Sequence, residues 1–152
     1  MPFIFEGEAE IPSTFKAVYE APYKKVMFDE SGRTILTLWN HHSLNITEEE
    51  YKKDAIYFVD LLLQYKATNL VADNRGNIFP LTSEIQRWYK ESISHLIGNH
   101  KMHKWAVVLD ENLLLYNLLD EVSSRAKNNP SQKNAEFRFF TNNQQALIWL
   151  NR

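Results

Sequence analysis

Asn69-Leu70-Val71-Ala72-Asp73 is a short apolar run that ends in a carboxylate and passes at once into the turn formers Asn74-Arg75-Gly76-Asn77. After Pro80-Leu81 the apolar spacing changes. Ile85, Trp88, Tyr89, Ile93, Leu96 and Ile97 form one stripe at helical period, interrupted by Ser92, and Gly98-Asn99 supplies a stop. Thr82 or Ser83 is the expected N-cap, with Glu84 placed in the first turn against the positive end of the helix dipole. A buried strand that feeds a helix must send the chain back across the sheet, which favours parallel pairing through right-handed crossovers.

The remaining segments read as a hairpin and further alternating helices and strands, with no internal repeat. Phe15–Glu20 reads as a first strand ended by Pro22. Tyr23–Phe28 and Arg33–Asn40 are β-rich runs around Asp29-Glu30-Ser31-Gly32, a hairpin pattern. After a loop at residues 40–46, Thr47 caps a helix beginning Glu48-Glu49-Glu50, with Tyr51, Ala55, Phe58, Val59 and Leu62 on its apolar face. Lys104–Leu109 suits an inner strand covered on both faces. A further helix is expected through Leu115, Leu118, Leu119, Val122 and Ala126, and a loop over Asn128–Asn134. Glu136–Thr141 forms the last strand. Asn142 or Asn143 caps a closing helix with Ala146, Trp149 and Leu150 facing inward.

The predicted order is an N-terminal β-hairpin followed by α-β-α-β-α-β-α. That is one α/β domain with a mostly parallel sheet over residues 17–152, preceded by an arm or edge strand at residues 1–16. A length of 152 residues with 44% hydrophobic content allows a real core. Were the helices to cover one side only, strand residues such as Phe140 would need cover from the arm or from a second subunit. A homodimer is therefore one expectation.

Composition removes several functions. The net charge is −2 with no basic stripe, which argues against nucleic-acid binding. There is no cysteine, so disulfides, thiol catalysis and thiolate metal sites are excluded. With 4 glycines in all, no glycine-rich phosphate cradle exists. Met1–Glu6 lacks the pattern of a signal peptide, and no apolar run reaches membrane-span length, so the expected location is the cytoplasm.

In open α/β sheets ligands bind beyond the carboxyl ends of the strands, where helix N-termini present free N–H groups. Asp73, Arg75, Thr82 and Ser83 are expected there and form the candidate site. The alternative is structural: Asp73 caps the turn, and Thr82 or Ser83 caps the helix. His41-His42, at a strand end, could join Asp73 and Asp110 in metal or acid-base work. Adjacent side chains on an extended strand point in opposite directions, however, which speaks against a shared metal. His95, His100 and His103 read as exposed loop histidines beside Lys101 and Lys104. Trp39, Trp88, Trp105 and Trp149 read as core.

The pattern resembles the anti-sigma-factor-antagonist (STAS) fold, and more closely its divergent STAS/SEC14-like or SpoIIAA-like relatives, over roughly residues 25–151. The likeness rests on Leu70-Val71-Ala72-Asp73 with a loop to Thr82-Ser83, on Gln86-Arg87-Trp88-Tyr89, and on the ending Gln145-Ala146-Leu147-Ile148-Trp149-Leu150. The resemblance implies a right-handed βα superhelix. It also implies Ser83 as a phospho-acceptor, although Leu81 stands where the regulators have Asp and Glu84 where they have Gly. The functional expectation is a non-enzymatic regulatory or binding module without cofactor or metal, taking a protein partner or small ligand. One alternative is a SEC14-like carrier of an apolar molecule with a cavity lined by Phe58, Leu62, Trp88 and Leu119. The other is a small hydrolase using Asp73, Asp110 and His41.

Overall fold

The computed structural model describes residues 3–112 and 135–152. The strands are β1 (Lys16–Glu20), β2 (Lys24–Asp29), β3 (Thr34–Trp39), β4 (Asn69–Asp73), β5 (Lys104–Val108) and β6 (Glu136–Phe140). They form one sheet in sequence order, β1-β2-β3-β4-β5-β6. The first three run antiparallel, and β3 to β6 are paired in parallel. Three helices complete the described residues: α1 (Glu48–Gln64), α2 (Ser83–Ile97) and α3 (Asn143–Leu150). The expected α/β architecture is therefore present. The helix through Leu115, Leu118, Leu119, Val122 and Ala126 and the loop Asn128–Asn134 lie outside the described residues.

Alternation along β3 divides the core. Ile35 packs with Val26, Phe28 and Leu70 against Leu61 and Leu62 of α1. Leu36 and Leu38 point the other way, joining Val71, Ala106 and Val108 against Ala146, Leu147, Trp149 and Leu150 of α3. α2 lies beside α1, with Ile93 against Ala55 and Val59. Within the expected stripe of α2, Leu96 is exposed instead, since the buried arc centres on Ile85 and Ile93.

Of the two readings of residues 1–16, arm or edge strand, the structure takes the first: the arm makes no strand before Lys16 among the described residues. It folds through a short 3-10 turn at Glu8–Glu10 and lays Phe5 and Phe15 into the α3-side core. Cover for that face thus comes from the two ends of the sequence: Phe140 packs against Trp149, with ring centroids 5.6 Å apart. The reason given above for a second subunit falls away.

The caps follow the sequence closely. Thr47 and Glu50 form a reciprocal capping box, Thr82 accepts from the Ile85 N–H, and Asn142 accepts from the Gln145 N–H. Gly98 ends α2 with a positive φ. No helix among the described residues is long and apolar enough to cross a membrane.

Candidate functional site

β4 ends at Asp73, and the chain turns there because the Asp73 carboxylate accepts from the Arg75 backbone N–H at 3.1 Å. The same carboxylate receives Arg75 Nε at 3.0 Å and Nη2 at 2.7 Å, a two-pronged pair. Asn143 Nδ2 donates to its second oxygen at 2.9 Å. Asp73 is 1% exposed. Its lone pairs are taken by four donors, so it is built to hold structure rather than to accept a proton from a substrate.

The other side of Arg75 faces the arm. Arg75 Nη2 donates to Glu10 Oε1 at 2.8 Å, and the Asn143 backbone N–H at the start of α3 donates to the same oxygen at 2.9 Å. Asn143 Nδ2 also donates to the Gly7 carbonyl at 3.3 Å. Gly7 has φ +85°, and a Cβ there would press on Arg75, Asp73 and Asn143. Partial burial by itself would raise the Glu10 carboxyl. The hydrogen bonds from Arg75 and Asn143, with the Arg75 charge, outweigh it and hold Glu10 below the usual carboxylate range. The bond to Asp73 raises Arg75 against its own burial, with Glu10 adding to the rise.

Thr82 and Ser83 belong to a different surface. Both are exposed at the start of α2, and among the described residues no hydrogen bond or ion pair joins them to Asp73 or Arg75. The sequence places four residues at one end of the sheet. The structure joins only Asp73 and Arg75 to each other, and turns them inward.

The loops after β3 and β4 are stitched by Ser43, whose Oγ accepts from the Ile78 N–H at 2.9 Å and lies 3.5 Å from the Gly76 carbonyl. Gly76 is forced, since a Cβ would strike the backbone of Trp39 and Asn40. On this frame Leu44, Ile78 and Leu81 stand in solvent, 56%, 47% and 46% exposed.

His41 and His42 sit in a 3-10 turn spanning His41–Asn45, not at the end of an extended strand, and their rings stack at 4.5 Å. The tight turn brings adjacent side chains to one side, which the extended-strand expectation missed. No cluster of three or more potential metal ligands forms among the described residues. His100 is half-buried rather than an exposed loop residue, with Nε2 2.6 Å from the Ala67 carbonyl.

One buried charge pair escaped the sequence reading. Lys24 Nζ meets Asp54 at 2.7 Å, with side chains 5% and 3% exposed. The ammonium lies 4.7 Å from the ring centres of both Trp39 and Phe58. Of the residues expected to line an apolar cavity, Phe58 packs on this cation, Leu62 is buried in the core and Leu119 lies outside the described residues. A signal for the pair existed: Asp54 interrupts the apolar face of α1, and Lys24 takes an inward position with Val26 and Phe28.

The chain matches no family model, and neither curated proteins nor solved structures give a significant match.

Proposed function

We propose that the chain is a non-enzymatic binding module that captures a partner protein on the rim formed by the loops after β3 and β4. One observation carries this reading. Three large apolar side chains, Leu44, Ile78 and Leu81, are held out in solvent on loops fixed to each other through Ser43. Rigid loops at the carboxyl end of a sheet are where α/β domains place recognition. Apolar groups kept exposed there favour a protein surface over water. The saturated Asp73 supports a binding role over hydrolysis. The sheet order, with α1 and α2 side by side, supports the resemblance to the STAS/SpoIIAA-like arrangement. Ser83, exposed at the first position of α2, is the residue through which phosphorylation would act on the same rim.

The test is Leu44→Ser with Leu81→Ser, used as bait in lysate from the cells that make the protein. The expected result is loss of the proteins captured by the unchanged chain, with thermal stability within a few degrees. Identical capture by both chains would overturn the reading. Arg75→Glu is no test of this surface, because Arg75 is structural and the change would break the fold beneath it.

A further inference from the structure

The arm is attached in an unusual way for a segment that covers a core. Its backbone–backbone bonds are local: Glu8 N–H to Phe5 carbonyl, Glu10 N–H to Gly7 carbonyl and Ile11 N–H to Glu8 carbonyl; beyond them the Gly7 carbonyl accepts from the Asn143 side chain. No ladder ties it to the sheet among the described residues. Side chains do the holding: Phe5 in the core, Glu8 on Lys25 at 2.7 Å, and Glu10 on Arg75 and the α3 N-terminus. A segment held this way can leave without unravelling a strand pair.

What Glu10 occupies has the make-up of an acid-recognition site. A guanidinium and a helix N-terminal N–H converge on one carboxylate oxygen at the carboxyl end of a sheet. Asn143 is fully buried in the same cluster, and its Oδ1 has no hydrogen-bond partner among the described residues. A buried acceptor left unpaired is costly. An incoming segment that offers an N–H there gains a bond that the arm does not make.

We propose that Arg75 and the N-terminus of α3 form an acid-recognition site that the chain keeps closed with its own Glu10, so that residues 3–11 compete internally with an acidic segment of the partner protein. This rests on the partner being a protein, as proposed above, and names its chemistry: an acidic side chain downstream of an aromatic one, matching Glu10 and Phe5. Because the arm is tethered, its effective concentration is on the order of millimolar, so a free competitor meets a largely closed site.

The probe is a labelled, end-capped peptide copying residues 3–12, offered to the full chain and to the full chain carrying Phe5→Ala with Glu10→Gln. The peptide is expected to bind the variant at least tenfold more tightly than the unchanged chain. That gain should vanish when the peptide itself carries Glu10→Gln. Equal binding to both chains, no binding to the variant, or indifference to the peptide's acid each overturns the proposal. Should the double variant fail to fold, Glu10→Gln alone decides by hydrogen exchange. Amides of Glu8–Ile11 should exchange at least tenfold faster while those of Leu36 and Val71 keep their rates, and a concerted rise overturns the proposal. The Leu44→Ser/Leu81→Ser chain should keep the exchange rates of the unchanged arm, so failure of the rim and failure of the arm are told apart.

Discussion

Asp54→Leu removes one half of the ion pair between β2 and α1 and leaves the Lys24 ammonium where water cannot reach it. The two side chains are 5% and 3% exposed, and the 2.7 Å contact is the only ion pair Lys24 makes among the described residues. The faces of Trp39 and Phe58 remain, worth about 0.5–2 kcal/mol of cation–π attraction, which falls short of replacing a carboxylate. Stranding a buried charge costs about 3–5 kcal/mol. For a chain of this size about 1 kcal/mol corresponds to roughly 2–4 °C, so Tm should fall by roughly 6–20 °C. Lys24→Met combined with Asp54→Leu removes both charges and fills the space with apolar groups. That double variant should return to within about 2 kcal/mol of the unchanged chain, the remainder being imperfect packing. Urea unfolding followed by circular dichroism gives all four corners of the cycle. Additivity of the two single changes to within about 0.5 kcal/mol would refute the reasoning, because independent sites add and a desolvated pair cannot.

Gly7→Ala should cost about 1–3 kcal/mol through a positive φ and a Cβ driven against Arg75, Asp73 and Asn143, and should loosen the arm selectively in hydrogen exchange. Gly76→Ala should cost more, because its Cβ meets the Trp39 carbonyl rather than movable side chains, and poor recovery of soluble protein is the expected readout. Protection of the arm should depend on pH in one direction. Glu10 is held below its ordinary value of 4.5, so its stabilisation is present above that value and lost as pH falls through the lower folded one. Protection factors for Glu8–Ile11 should be flat from about pH 7 to 5 and drop below. Glu10→Gln should abolish that step. Thr47→Ala should cost about 1 kcal/mol in urea unfolding, since it opens a reciprocal cap at the start of α1.

Local signals made much of the fold legible. The hairpin around Asp29–Gly32, the caps at Thr47 and Thr82 and the unbroken apolar run of β5 each report a short-range preference, and each element stands where its residues place it. The site was legible only by halves. Asp73 and Arg75 are close in sequence, and their contact could be foreseen. Their third and fourth partners, Glu10 and Asn143, lie 65 and 70 residues away, and no periodicity connects them. The arm was undecidable for a similar reason. Phe5 and Phe15 fall in no periodic pattern, and their burial depends on a face assembled from β3, β4, β5 and α3. His41-His42 misled because a 3-10 turn and a strand end look alike over two residues.

The α3-side core joins what the chain makes early to what it makes late. Glu10 and Asn143 touch across 133 residues of sequence. During synthesis, Leu36, Leu38, Val71 and Val108 are already placed on their sheet face while the helix that shields them is still unmade. The greasy side of a half-built sheet therefore has only the arm to cover it until residues 143–150 have emerged. A chain halted before that point would carry α1 and α2 on one side and, on the other, aliphatic strands without the cover of Ala146, Leu147, Trp149 and Leu150. That is the kind of surface molecular chaperones hold.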